Sequence, residues 1–109
     1  MDPIELQVVC KIREGKLEEF KAVAADLLLV VKEQDTQTLR YDWFWNADES
    51  VCVIRESYPG MEAVEEHRSH IKEVGKRMRD VAELSFEVYG DPPAEVGPHA
   101  IPYRRFQGM

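Results

Sequence analysis

Apolar and polar side chains alternate from Ile4 to Arg13, placing Ile4, Leu6, Val8, Cys10 and Ile12 on one side. That period of two predicts a half-buried strand. Gly15 ends it, and the period then changes. Leu17, Phe20, Ala24, Leu27, Leu28 and Val31 recur at steps of three and four, the apolar stripe of a helix running to about Glu33. The polar stretch Gln34-Asp35-Thr36-Gln37 closes that helix. A second strand is expected over Thr38–Asn46, with Leu39, Tyr41, Trp43 and Trp45 on one face and Arg40, Asp42 and Phe44 on the other. The short turn Ala47-Asp48-Glu49-Ser50 joins it to a third strand, Val51–Tyr58, and so close a link predicts a hairpin. After Pro59-Gly60, Met61, Val64, His67, Ile71, Val74, Met78 and Val81 mark a second helix, which Gly75 or the Arg68-Ser69-His70 stretch would be able to divide. Acids gather early in it and bases late, as the helix dipole favours. A fourth strand, Glu83–Gly90, carries Leu84, Phe86 and Val88 on one side.

The order β-α-β-β-α-β, with right-handed crossovers, folds most simply as a ferredoxin-like split βαβ of the α+β class. The expected sheet is antiparallel in the order 4-1-3-2, with both helices on one face. Cys10 and Cys52 then fall on neighbouring strands, as buried thiols or as a redox-sensitive pair. Large apolar groups also fall on the other face: Val9, Phe44, one of the two sets Val51/Val53 and Cys52/Ile54, and Tyr89. A sheet apolar on both sides needs a cover, most economically a second copy in two-fold symmetry, giving a dimeric α+β barrel.

Residues 1–90 are therefore expected to form the domain. Residues 91–109 hold four of the chain's six prolines and read as an extended C-terminal arm, its aromatic Tyr103 and Phe106 suited to docking. The whole chain, 109 residues with 14 Lys plus Arg against 21 Asp plus Glu, has a formal charge of −7. Such a balance disfavours a phosphate-backbone partner. Met1-Asp2-Pro3-Ile4-Glu5 lacks the basic and apolar regions of a secretion signal, and Asp26 interrupts the longest apolar run. The expectation is a soluble, cytoplasmic protein that binds neither nucleic acid nor membrane.

His67 stands out because it lies within the apolar stripe of the second helix. In a dry pocket it would accept a substrate hydroxyl proton or hold the resulting oxyanion. Otherwise it is a core histidine satisfied by a carboxylate or carbonyl. Glu56, near the end of the third strand with Tyr58, would fix the imidazole tautomer, or else form an ion pair with Arg40 or Arg55. Tyr41, Trp43 and Trp45 read either as core or as the walls of a pocket for a flat substrate. His70 follows His67 at helical spacing with Glu66 beside it, but the sequence supplies no third ligand, so no metal site is assigned. There is no Gly-rich phosphate loop, no G-x-S-x-G elbow and no nucleophilic cysteine motif.

Gly15-Lys16-Leu17-Glu18-Glu19-Phe20, Thr38-Leu39-Arg40-Tyr41-Asp42, Glu56-Ser57-Tyr58 with Ala63-Val64-Glu65-Glu66-His67, and Glu87-Val88-Tyr89-Gly90 occur in that order. Together they resemble the antibiotic biosynthesis monooxygenase (ABM) domain family, particularly its quinol-monooxygenase-like members, across residues 4–90. The resemblance implies a homodimeric α+β barrel and oxygenation of quinol-like or polyketide-like aromatics without metal, flavin or haem. On that reading His67 is the base, Glu56 its orienting carboxylate, and Tyr41, Trp43, Trp45, Tyr58 and His70 contact substrate. Other relatives are isomerases or stress-associated proteins, so an isomerase and a non-catalytic dimeric binding module are the alternatives. Haem-degrading relatives use an Asn in the first strand. Here that strand offers Glu5 and Gln7 instead, which disfavours haem cleavage.

Overall fold

The computed structural model describes residues 3–90 and 94–106. Its elements are β1 (Ile4–Ile12), α1 (Leu17–Gln34), β2 (Arg40–Trp45), β3 (Val51–Tyr58), α2 (Met61–Val81), β4 (Ala82–Gly90) and β5 (Ala100–Arg104). Gly15, at φ +77°, turns the chain from β1 into α1 in a conformation that other side chains resist. The second helix runs unbroken through Gly75. A methyl group added there would touch nothing within 4 Å, so the glycine marks open space and not a break.

The sheet order is β2-β3-β1-β4-β5. Within it the expected order 4-1-3-2 is preserved, but the sheet is mixed and has five strands. The fifth comes from the segment expected to be an extended arm: β5 pairs parallel to β4, setting Val88 beside Pro102 and Tyr89 beside Tyr103. Proline lacks the N–H that an inner strand must donate, and an outermost strand tolerates it. Pro92 and Pro93 of the expected arm lie outside the described residues.

Strand register decides which side chains meet. Cys10 is opposite Cys52, Val8 opposite Ile54 and Leu6 opposite Glu56, while Tyr41 pairs with that same Glu56. Paired residues share a face. Leu6, Val8, Cys10, Cys52, Ile54, Glu56, Tyr58 and Val88 therefore all point under the helices, where each is buried. From above, α1 contributes Phe20, Val23, Ala24, Leu27 and Val31, and α2 contributes Ala63, Val64, His67, Met78 and Val81. Leu28, expected in the α1 stripe, is instead 41% exposed, at the stripe's solvent margin.

The opposite face carries Val9, Phe44, Val53, Tyr89 and Tyr103 among charged residues. The register thereby assigns Val51 and Val53, not Cys52 and Ile54, to the uncovered side. Phe44 is 49% exposed there, and Tyr89 stacks on Tyr103 with ring centroids 5.2 Å apart. No helix of the described residues is long and apolar enough to cross a membrane.

Candidate active site

The two crossovers run antiparallel, so the C-terminal end of α1 meets the N-terminal half of α2. There the polar run after α1 is stitched to the second helix. The Glu66 carboxylate accepts hydrogen bonds from the Thr36 backbone N–H and the Thr36 hydroxyl, both at 2.7 Å. That junction fixes Asp35, the C-cap of α1, against two histidines. Asp35 Oδ2 lies 2.8 Å from His67 Nδ1, and Oδ1 lies 2.6 Å from His70 Nδ1. The Thr38 hydroxyl donates to Oδ2 at 2.6 Å. Burial alone would raise the Asp35 carboxyl, but the bonds from His70, Thr38 and His67 together hold it below the ordinary aspartate value. Asp35 therefore stays ionised and anchors both rings.

With Nδ1 of His67 directed at Asp35, the other nitrogen faces inward. Nε2 lies 3.6 Å from Glu56 Oε1, and the Tyr58 hydroxyl donates to the same carboxylate oxygen. His67 is 3% exposed and Glu56 7%. Loss of water raises Glu56 above the usual glutamate range. The nearby His67 and the Tyr58 hydrogen bond oppose the rise, and Asp35 adds to it. Burial likewise pushes the Tyr58 and Tyr41 hydroxyls upward, with Glu56's charge adding to each, so both phenols stay protonated. Neither arginine proposed as an ion-pair partner reaches Glu56. Arg40 pairs with Asp42 at 2.6 Å, while Arg55 points to the uncovered face.

The Glu56 shift gives a sign for pH dependence. A carboxyl raised in the folded state binds its proton more tightly there than in the unfolded chain. Stability is then lost as pH climbs from the unfolded glutamate value through the folded one. Urea midpoints between pH 4 and 8 are expected to fall for the wild type relative to Glu56→Gln across that window. Parallel curves would show that burial does not raise this group.

The Glu56–His67 pair sits in the wall of a cavity of about 560 Å³ between helices and sheet. Leu6, Val8, Ile54, Ile71, Leu84 and Phe86 are among its apolar lining residues, and Tyr41 and Tyr58 flank the histidine. The Tyr41 and Tyr58 rings stand 5.2 and 5.3 Å from the His67 ring. Such a site offers one base, one protonatable carboxyl and two phenolic donors at one end of an apolar slot. It is equipped to take a proton from a bound hydroxyl or activated carbon and to hold the anion that forms.

Other expected contacts fall elsewhere. Trp43 and Trp45 pack around Phe20, at centroid distances of 6.3 and 5.5 Å, and do not line the cavity. They share a face with Tyr41, but successive same-face positions step along β2 away from His67 and under the start of α1. The Trp43 indole N–H is buried without a partner. His70 is also outside the cavity wall, because its ring is spent on Asp35. Cys10 borders the cavity as a protonated thiol, since burial pushes it up to about 12 and its neighbour Cys52 adds to this.

Asp35 and His99 carry weight that the residue pattern did not reveal. In the sequence Asp35 is only part of the polar stretch that closes the first helix, and its signal is topological: antiparallel helices oppose residue 35 to residues 66–70. His99 lines the cavity from the segment before β5. Among the described residues, Asp35, Glu66 and His70 form the one group whose ligand atoms lie within 4.8 Å of one another. Both carboxylates already accept two or more protein hydrogen bonds there.

No protein-family model and no curated protein matches the sequence. Solved structures do. A protein from Caulobacter crescentus CB15 named "putative antibiotic biosynthesis monooxygenase" is 25% identical, with a TM-score of 0.70 over 79% of this chain and 86% of that one. The chain has an ABM-like fold. MupZ from Pseudomonas fluorescens matches at TM-score 0.72, with 23% identity over 82% of this chain and 68% of its own. A Nitrosomonas europaea protein carrying the same name as the Caulobacter one matches at 0.69 and 17% identity, over 80% of this chain and 88% of that one. The likeness bears out the α+β, ABM-like fold of the single chain.

Proposed function

We propose that this chain is a cofactor-independent monooxygenase that oxidises a small quinol-like or polyketide-like aromatic with O2. One observation carries the reading: a buried histidine, held at Nδ1 by an ionised carboxylate, presents Nε2 to an apolar cavity beside a second, protonatable carboxyl.

In this mechanism His67 takes the proton of a phenol or quinol that has an unsubstituted ring carbon ortho or para to the hydroxyl. The electron-rich anion reduces O2, and a carbon–oxygen bond forms at that carbon. The hydroperoxide then loses water to give the quinone, so one O2 is consumed per phenol, one oxygen atom entering product and the other leaving as water. All the electrons come from substrate. Apolar walls bind the ring and exclude bulk water, while the Tyr58–Glu56 pair returns protons to the departing oxygen. Tyr41 and Tyr58 contact the substrate in this reading.

An oxygen electrode with a panel of hydroquinones and 1-naphthols tests it. Uptake above the buffer rate, with one ¹⁸O atom from ¹⁸O2 in the product, is expected for at least one member. No uptake across the panel would remove the monooxygenase reading. A base beside a protonatable carboxyl also favours a second reading, an isomerase that moves a proton within an enolisable aromatic precursor. That enzyme would convert substrate without consuming oxygen.

The working unit is proposed to be a homodimer closed through the uncovered sheet face. Val9, Phe44, Val53, Tyr89 and Tyr103 give that face more apolar surface than a solvated sheet carries. Light scattering is expected to give twice the 12.6 kDa chain mass, and Phe44→Asp to shift it toward the monomer. A monomeric wild type would refute the pairing.

A further inference from the structure

The cavity is apolar within but not at its rim. Five of its lining residues carry formal charge, and four are cations from one stripe of α2: Arg68, Lys72, Lys76 and Arg79. Their spacing of four, four and three residues stacks them along a single helix edge. All four are exposed. The facing side of the rim is the segment before β5, whose Val96 carbonyl accepts a hydrogen bond from Arg68 at 2.9 Å.

Such a row is out of keeping with a chain of net charge −7. The helix dipole accounts for bases in the last turn, where Arg79 lies, but not for Arg68 or Lys72 in the first twelve residues of α2. Like charges at these spacings repel one another. Lys76 meets Glu73 at 3.3 Å, both largely exposed, and Arg68 is turned to a neutral carbonyl. The fifth charged lining residue, Glu56, lies at the deep end and is biased toward its neutral form by burial.

We propose that the cavity takes an amphiphilic organic anion, an aromatic body bearing a carboxylate or comparable acid group held by the α2 cations. This rests on the reading of the cavity as a substrate site and specifies the substrate class. Lys72 stands five positions beyond His67 on α2, about 7.5 Å of helical rise. That span matches one aromatic ring with a short acidic side arm, so the acid group sits at the rim while the ionisable hydroxyl reaches Nε2. The rim cations select the acid-bearing member of a series and orient it, and the neutral interior excludes a second charge.

A matched pair of dyes tests this on the full chain. 8-Anilinonaphthalene-1-sulfonate and N-phenyl-1-naphthylamine share a ring system and differ by the sulfonate. Fluorescence titration is expected to show the sulfonate bound at least several-fold more tightly, with the preference shrinking as salt is raised. Lys72→Gln combined with Lys76→Gln is expected to weaken the sulfonate by about 10-fold and leave the neutral dye unchanged. Both lysines are exposed, so the fold is retained, and far-ultraviolet circular dichroism checks it. Equal affinities for the two dyes, or a double variant that binds both as the wild type does, would overturn the proposal. Oxygen uptake reports separately on the chemistry: a panel without turnover combined with intact dye discrimination would refute the monooxygenase and keep the anion site.

Discussion

Replacing His67 with alanine is expected to slow oxygen consumption by about 10²–10⁴-fold, the span that a positioned general base contributes. The loss should fall on kcat, with KM nearly unchanged, because the apolar walls that bind the ring are intact and only the proton acceptor is gone. Structural collapse would mimic this effect, since the ring is buried and makes two polar contacts. Its partners keep others, however: Asp35 retains Thr38 and His70, and Glu56 retains Tyr58. The variant is therefore expected to keep its circular dichroism spectrum. His67→Gln, closer in volume, gives a second variant with the same kinetic outcome. A preparation of either that is folded and oxidises the quinol at the wild-type rate would exclude His67 as the base.

The parts of this site that were legible beforehand are those encoded by periodicity. His67 belongs to a stripe at steps of three and four, so its burial followed from spacing alone. Glu56 is an acid on the apolar face of β3, where one-residue register decides between core and solvent. Its neighbours Ile54 and Tyr58 settle that choice. The rest depends on distance in space. Asp35 meets His67 only because two crossovers run in opposite directions, and no local pattern distinguishes it from the polar residues that end any helix. Trp43 and Trp45 fail as pocket walls for a similar reason. Period two fixes the face of a side chain but not the helix above it, and α1 covers that end of β2 with Phe20. β5 was obscured by Pro102, which rules out an inner strand and leaves an outer one allowed.

Asp35→Asn is expected to cost about 10²–10³-fold in kcat while leaving the cavity's dye affinity unchanged. Asp35 touches neither the cavity nor a substrate placed in it; it is a positioning residue. As a carboxylate it accepts from two imidazole Nδ1 atoms, one on each oxygen. An asparagine has one carbonyl oxygen and one NH2 group, so it can satisfy only one ring in the same way. With the amide nitrogen toward His67 and the Thr38 hydroxyl rotated to accept from it, Nδ1 must become the acceptor and the proton moves to Nε2. The nitrogen that faces the cavity then donates a proton and no longer accepts one, and the base is lost without moving an atom of the ring. Asn also removes a charge whose ionised form is favoured by folding. A carboxyl held low in the native state adds stability above its unfolded value, and this is lost as pH falls through the folded one. The variant should therefore be less stable than wild type near neutrality, with the gap closing in acid. ¹⁵N chemical shifts of the His67 ring separate the two effects, since destabilisation alone leaves a folded protein's tautomer unchanged. A variant whose ring keeps its proton on Nδ1 and whose kcat is unchanged would remove Asp35 from the mechanism.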